Sequence, residues 1–225
     1  MSEDKDENPA LIGAVKDKLI RTKEQWAEKG RLITGKPDIR HENRLPPGQK
    51  QVTNWPVLDL GVQPDVRPEK WRLRVSGLVE NPLAWTLPEF HALPQDEFVS
   101  DIHCVTAWSR YDNRWKGVSS RTLLALVRPR AEARHVVFQS YDGYTTNVKL
   151  EAFADTDVLL AHSWEGKPLP REHGGPVRVV VPQWYFWKSA KWVTAIELTA
   201  EDRPGFWEVR GYHNEGDPWK EERYG

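Results

Sequence analysis

The 225-residue chain contains a single cysteine, Cys104. That excludes an intrachain disulfide framework and any zinc site built from several cysteines. Charge of neither sign dominates, with 32 lysines and arginines against 33 acids, so nothing in the total suggests a nucleic-acid or membrane partner. No apolar run approaches the ~20 residues needed to span a bilayer. The opening "MSEDKDENPA" is acidic and polar where a secretory signal is basic and then apolar. The expectation is a cytoplasmic protein without membrane insertion. Internal repeats and low-complexity segments are also missing.

What is present in excess is tryptophan, 12 residues of it. Such side chains line pockets for flat ligands or fill core and interface. The length suits one domain with a real core, or one domain plus an arm. A helix is expected over residues 9 to 29, with Asn8 as cap, Pro9 in the first turn, Gly30 as stop, and Leu11, Val15, Leu19 and Trp26 on one face. Residues 36 to 70, rich in proline and charge, read as an arm laid over the domain. The expected division is residues 1–70 as helix and arm, and 71–225 as the domain with a C-terminal tail.

From Trp71 the pattern changes to short strands. In "WRLRVSG", Trp71, Leu73 and Val75 fall on one face, the period of a half-buried strand. "TLPEF" opens a short helix through a capping box of Thr86 and Glu89. "EFVSDIHCV" is strand-like and ends at Cys104, followed by a polar loop holding Thr106, Ser109, Arg110, Asp112 and Asn113. Ser119 or Ser120 starts a helix through "RTLLALV" that stops before Pro129. "HVVFQSY", "YTTNVKL", "VLLAHSW", "VRVVVP" and "KWVTAIELT" supply further strands. The fold class is α+β, strand-rich with a few short helices.

A cysteine leaving a strand into a polar loop sits where core meets cleft. Three readings are open: an inert buried thiol, a nucleophile served by His103, His135, His162 or His173, and a ligand to a metal. No cysteine-hydrolase signature surrounds it. One thiolate suffices for a metal whose other donors belong to a sulfur-bearing organic cofactor.

"HCVTAWS", "WKGV", "DGYTTNV", "LLAHSWEGKPLPREHGGPVRVVVP" and "KSAKWV" follow in this order across about 90 residues. Together they resemble the molybdopterin-binding domain of the sulfite oxidase family, from about Trp71 to Thr199, with the closer match to its small single-domain members. The resemblance implies a molybdopterin oxidoreductase in which Cys104 binds molybdenum. His103 beside it, His173 and Arg178 in "HGGPVR", Lys188, Ser189, Ala190 and Lys191 in "KSAKW", Ser140 in "FQSYDGY", and Asn54 in "TNWPV" become cofactor contacts. Tyr144 becomes a substrate-side donor. Fixed cations at Arg178, Lys188 and Lys191, with Gly174 and Gly175 permitting close approach, suit a cofactor that ends in a phosphate.

The sulfite oxidases proper carry an Arg-rich segment with glycine and asparagine after the cysteine, where this chain has "VTAWSRYDNR". That departure argues against sulfite as substrate. No haem domain precedes the matching region, so a separate electron-transfer partner is implied, with two-electron oxo transfer on a small oxyanion or sulfoxide-type molecule. The rival readings are a cysteine-dependent hydrolase or transferase and a cofactor-free binding module.

Overall fold

A computed structural model describes Arg21 and residues 44–225. Apart from Arg21, which is helical, the helix expected over residues 9 to 29 lies outside the described residues. In chain order the elements are β1 (Lys50–Gln51), β2 (Arg72–Gly77), β3 (Leu83–Thr86), α1 (Leu87–Ala92), β4 (Asp96–Cys104), β5 (Trp108–Ser119) and α2 (Ser120–Val127). Then follow β6 (His135–Ser140), β7 (Thr145–Lys149), α3 (Leu150–Phe153), β8 (Leu159–Trp164), β9 (Lys167–Pro168), β10 (Arg178–Val180) and β11 (Val193–Thr199).

Local chemistry sets several boundaries. Thr86 caps α1 by accepting from Glu89 N while Glu89 accepts from Thr86 N, a complete capping box. Ser119 caps α2, whose last residue, Val127, lies two before Pro129. Alternation in β2 buries Leu73 and Val75 and exposes Arg72 and Arg74. One expectation needs correction: the polar stretch after Cys104 is not a loop. A tight turn closes through Ala107 N to Cys104 O, and from Trp108 the chain is strand β5. Tyr111, Asn113 and Trp115 point inward while Asp112, Arg114 and Lys116 face water, so a polar composition hides a period-two strand.

The strands form two sheets. In one, β1, β5, β8 and β10 lie side by side, with β4 paired to β5 and β9 to β8; in the other the order is β3, β2, β11, β6, β7. Pairing is antiparallel except for β1 with β5 and β11 with β2. Buried side chains form two cores, the larger of which takes Val118 and Leu160 from one sheet and Val75 and Ile196 from the other. The larger, around Trp71, Phe90, Phe138 and Ile196, is mainly aliphatic. The second is aromatic, around Trp108, Trp115, Tyr185, Trp187 and Trp207, and includes Cys104. Tyr144 packs against both. No described helix is long and apolar enough to cross a membrane.

Candidate active site

Where the two cores meet, a cleft enclosing about 1050 Å³, its open mouth included, is lined by Cys104, Tyr144, His173, Arg178, Ser189 and Lys191 together with a wall of aromatic rings. Cys104 is held at the end of β4 by the turn into β5, 6% exposed, with its Sγ 3.1 Å from Thr106 Oγ1. With the cysteine as thiolate, that hydroxyl donates to the sulfur.

Arg178 is the strongest electrostatic feature. Its side chain is 1% exposed, yet no carboxylate among the described residues pairs with it. Its donors go to carbonyls, 2.8 Å to His173 O, 2.8 Å to Ser189 O and 3.3 Å to Val179 O. The guanidinium lies 4.1 Å from the Phe186 ring centroid and 5.5 Å from that of Trp55. Burial pulls its pKa down to about 9, where the cation still dominates at neutral pH. Such a charge is costly to hold without a counter-ion. Lys191 stands beside it, donating to Glu172 O at 2.7 Å. Gly174 makes this proximity possible: at φ +106° it would place a Cβ 3.0 Å from Lys191 Cα.

His173 is 6% exposed and lies flat on Trp55, centroids 3.7 Å apart and planes 4° from parallel. Burial first, then Arg178, Lys191 and Arg110, push its pKa down to about 3, so it is neutral at physiological pH. A folded pKa below the unfolded one gives stability that is complete above pH 6.5 and is lost as pH falls toward 3. In cofactor-free protein His173 alone is expected to lower the unfolding free energy by about 2 kcal/mol between pH 6.5 and pH 5. Urea unfolding at each pH checks this against His173→Gln, in which that part of the slope disappears; equal slopes would contradict it.

The remaining candidates stand elsewhere. Lys188 belongs to the same motif as Lys191 but turns away: fully buried, it meets Glu208 at 2.6 Å and Asn147 O at 3.0 Å, and it does not line the cleft. This corrects the expectation of a cation offered to the cofactor; burial lowers its pKa against the opposing pull of Glu208. His103 points its Nδ1 at Ser109 Oγ, 2.8 Å away, outside the cleft wall. Because that hydroxyl in turn donates to Gln49, the Nδ1 carries the proton. Burial lowers the pKa of His103 to about 4. Asn54 is exposed, and its neighbour Trp55 takes the place in the cleft. Ala190 is in the aliphatic core. Ser140 lies behind the turn bearing Asp142 and Tyr144, its Oγ buried and without a partner. Tyr144 lines the cleft, but its hydroxyl donates to Trp187 O at 2.7 Å, and burial, then Glu208, hold its pKa well above the ordinary tyrosine value. That phenol is committed as a donor and can offer only its oxygen lone pairs, which corrects the substrate-side donor role.

Sequence reasoning missed Trp55, Thr106, Phe186, Trp187, Trp207 and Tyr212, all of which line the cleft. The excess of tryptophan was the only signal for Trp55, Trp187 and Trp207, and Thr106 was visible only as a neighbour of Cys104.

The donor set fits a molybdenum cofactor. An unpaired buried cation, a second cation and a neutral imidazole suit an anionic organic group, and a lone thiolate at the wall suits a soft metal. When bound, the cofactor supplies two-electron oxo transfer. Cys104 would hold the metal; Arg178, Lys191 and Ser189 would hold the organic part.

Comparison with known proteins agrees. Residues 60–207 match the family described as "Oxidoreductase molybdopterin binding domain". The chain is 44% identical over 182 residues to the uncharacterized oxidoreductase YuiH of Bacillus subtilis (strain 168), spanning 80% of this chain and 92% of that one. It is 36% identical over 149 residues to the putative protein-methionine-sulfoxide reductase subunit YedZ1 of Azospira oryzae, spanning 66% of this chain and 56% of that one. It therefore covers little more than half of that relative. The crystal structure of the sulfane dehydrogenase SoxCD from Paracoccus pantotrophus shares the fold, with a TM-score of 0.57 and 23% identity over 62% of this chain and 40% of that one. With cleft, cysteine, cations and family match in agreement, the chain belongs to the family of oxidoreductases with a molybdopterin-binding domain.

Proposed function

We propose that this oxidoreductase takes the oxygen atom from a small sulfoxide, with Cys104 as the protein ligand to molybdenum and with electrons supplied by a separate redox protein. The observation that carries the substrate class is the wall around Cys104. It is built from Trp108, Phe186, Trp187, Trp207 and Tyr212, while the cations in the lining, Arg178 and Lys191, are tied to the carbonyls of the 172–189 segment. A small oxyanion needs fixed positive donors on its own side of the site. A sulfoxide and its thioether product carry an apolar body that aromatic rings receive well, sulfur against ring edge. The Azospira relative is named as a protein-methionine-sulfoxide reductase subunit, which supports both the substrate class and a partner for electrons.

The chain's own contributions follow from the geometry. The aromatic wall removes water from the reacting sulfur, and the neutral His173 offers a hydrogen-bond donor that needs no proton exchange. The test is turnover by molybdenum-loaded protein with a reduced viologen dye. Methionine sulfoxide or dimethyl sulfoxide is expected to exceed nitrate in kcat/KM by roughly a hundredfold, the discrimination an apolar pocket reaches. Sulfite oxidation, or nitrate reduction as fast as that of a sulfoxide, would refute the reading.

A further inference from the structure

We infer that Gln49 and Arg223, both outside the matched residues 60–207, are positioning residues that fix the turn bearing Cys104. The inference rests on Cys104 as the metal ligand. The turn from Cys104 to Ser109 offers its carbonyl oxygens outward, and the terminal segments take them one after another. Gln49 Nε2 donates to Cys104 O at 3.1 Å. Arg223 Nη1 donates to Val105 O at 3.0 Å. Lys50 N and Val52 N donate to Ala107 O and Ser109 O at 3.0 and 2.8 Å.

These contacts are built in rather than incidental. Gln49 is buried and its Oε1 also receives the Ser109 hydroxyl, so both ends of its amide are committed to the turn. Arg223 has a side chain 15% exposed, reaches Pro47 O with its second nitrogen at 3.4 Å, and lies over the Tyr185 ring at 5.4 Å. Gly48, at φ +67°, makes the room, because a Cβ there would fall 2.9 Å from Arg223 Nη2. The tail also braces the opposite wall: Tyr185 N donates to Gly216 O at 2.7 Å, and a Cβ on Gly216 would meet the Trp187 ring at 2.7 Å. One tail therefore sets the thiolate turn and the 185–187 segment against each other. A ligand held within a few tenths of an ångström needs such outer support.

Cys104 is the only cysteine, so its alkylation by iodoacetamide in cofactor-free protein reports on this turn alone. Arg223→Ala and Gln49→Ala are each expected to raise the alkylation rate about tenfold, the factor by which losing a charged or buried hydrogen bond shifts a local opening equilibrium. Arg223→Lys restores part of the protection. Thr86→Ala, which weakens the cap of α1 far from the turn, leaves the rate as it was, so general loss of stability is not what is read. In loaded protein the two alanine variants shift the electron paramagnetic resonance signal of molybdenum(V). Rates for Arg223→Ala and Gln49→Ala within about twofold of the parent, the spread of unrelated surface changes, overturn the inference. Cys104→Ala separates the two levels: an unchanged molybdenum signal in that variant removes the ligand assignment, while a changed signal there beside parental behaviour of Arg223→Ala removes only the positioning role.

Discussion

Cys104→Ser abolishes turnover while the organic cofactor stays in the cleft. The substitution keeps size and the hydrogen bond to Thr106, and it leaves Arg178, Lys191 and Ser189 in place to hold the anionic part. What it removes is the soft donor, since a serine hydroxyl at neutral pH is protonated and hard where the thiolate is charged and polarisable. Losing an outer partner of a metal ligand costs roughly 10- to 100-fold, and loss of the ligand itself is expected to exceed that. Sulfoxide turnover measured beside pterin content per chain shows the separation. Full activity in the serine variant would remove Cys104 from the metal.

Arg178→Met gives the converse, an intact thiolate with little cofactor around it. The guanidinium is buried without a carboxylate among the described residues, a cost that folds accept where a ligand brings the counter-charge. Its bonds to His173 O and Ser189 O also tie the 173–178 loop to the 189–191 segment, so one side chain supplies both charge and shape. Losing a charged hydrogen bond to an anion is worth about 1.5–3 kcal/mol, so cofactor affinity is expected to fall about 100-fold. Arg178→Lys falls between, since one ammonium cannot span the carbonyls that the planar fork reaches. Molybdenum by elemental mass spectrometry and pterin by fluorescence, both after gel filtration, decide it. Parental occupancy in Arg178→Met contradicts the assignment.

Local signals in the sequence transferred well to the structure. The capping box at Thr86 and the alternation of "WRLRVSG" depend on neighbours a few residues away, and both stand as read. Cys104 was legible for a different reason, as the one thiol of the chain at a strand end. What could not be read is orientation set by distant partners. Lys188 and Lys191 are three residues apart in one motif, and only the approach of Glu208, folded back from the tail, decides that the first is buried and the second lines the cleft. Trp55 looked like part of a proline-rich arm until His173 provided a face to stack on. The strand after Cys104 was masked because Asn113, polar in type, is wholly buried by bonds to Ser100 O and Arg110 O.

The ring-lined cleft also has an optical consequence. Trp55, Trp108, Trp187, Trp192 and Trp207 all border the cleft, while Trp71 and Trp85 sit in the separate aliphatic core. Indole emits in the near ultraviolet, where a pterin absorbs, so energy passes from these rings to a bound cofactor over the few ångströms that separate contacting groups. Arrival of the cofactor dims the border tryptophans. The protein thus carries its own fluorescent gauge of loading, readable in real time and without a label.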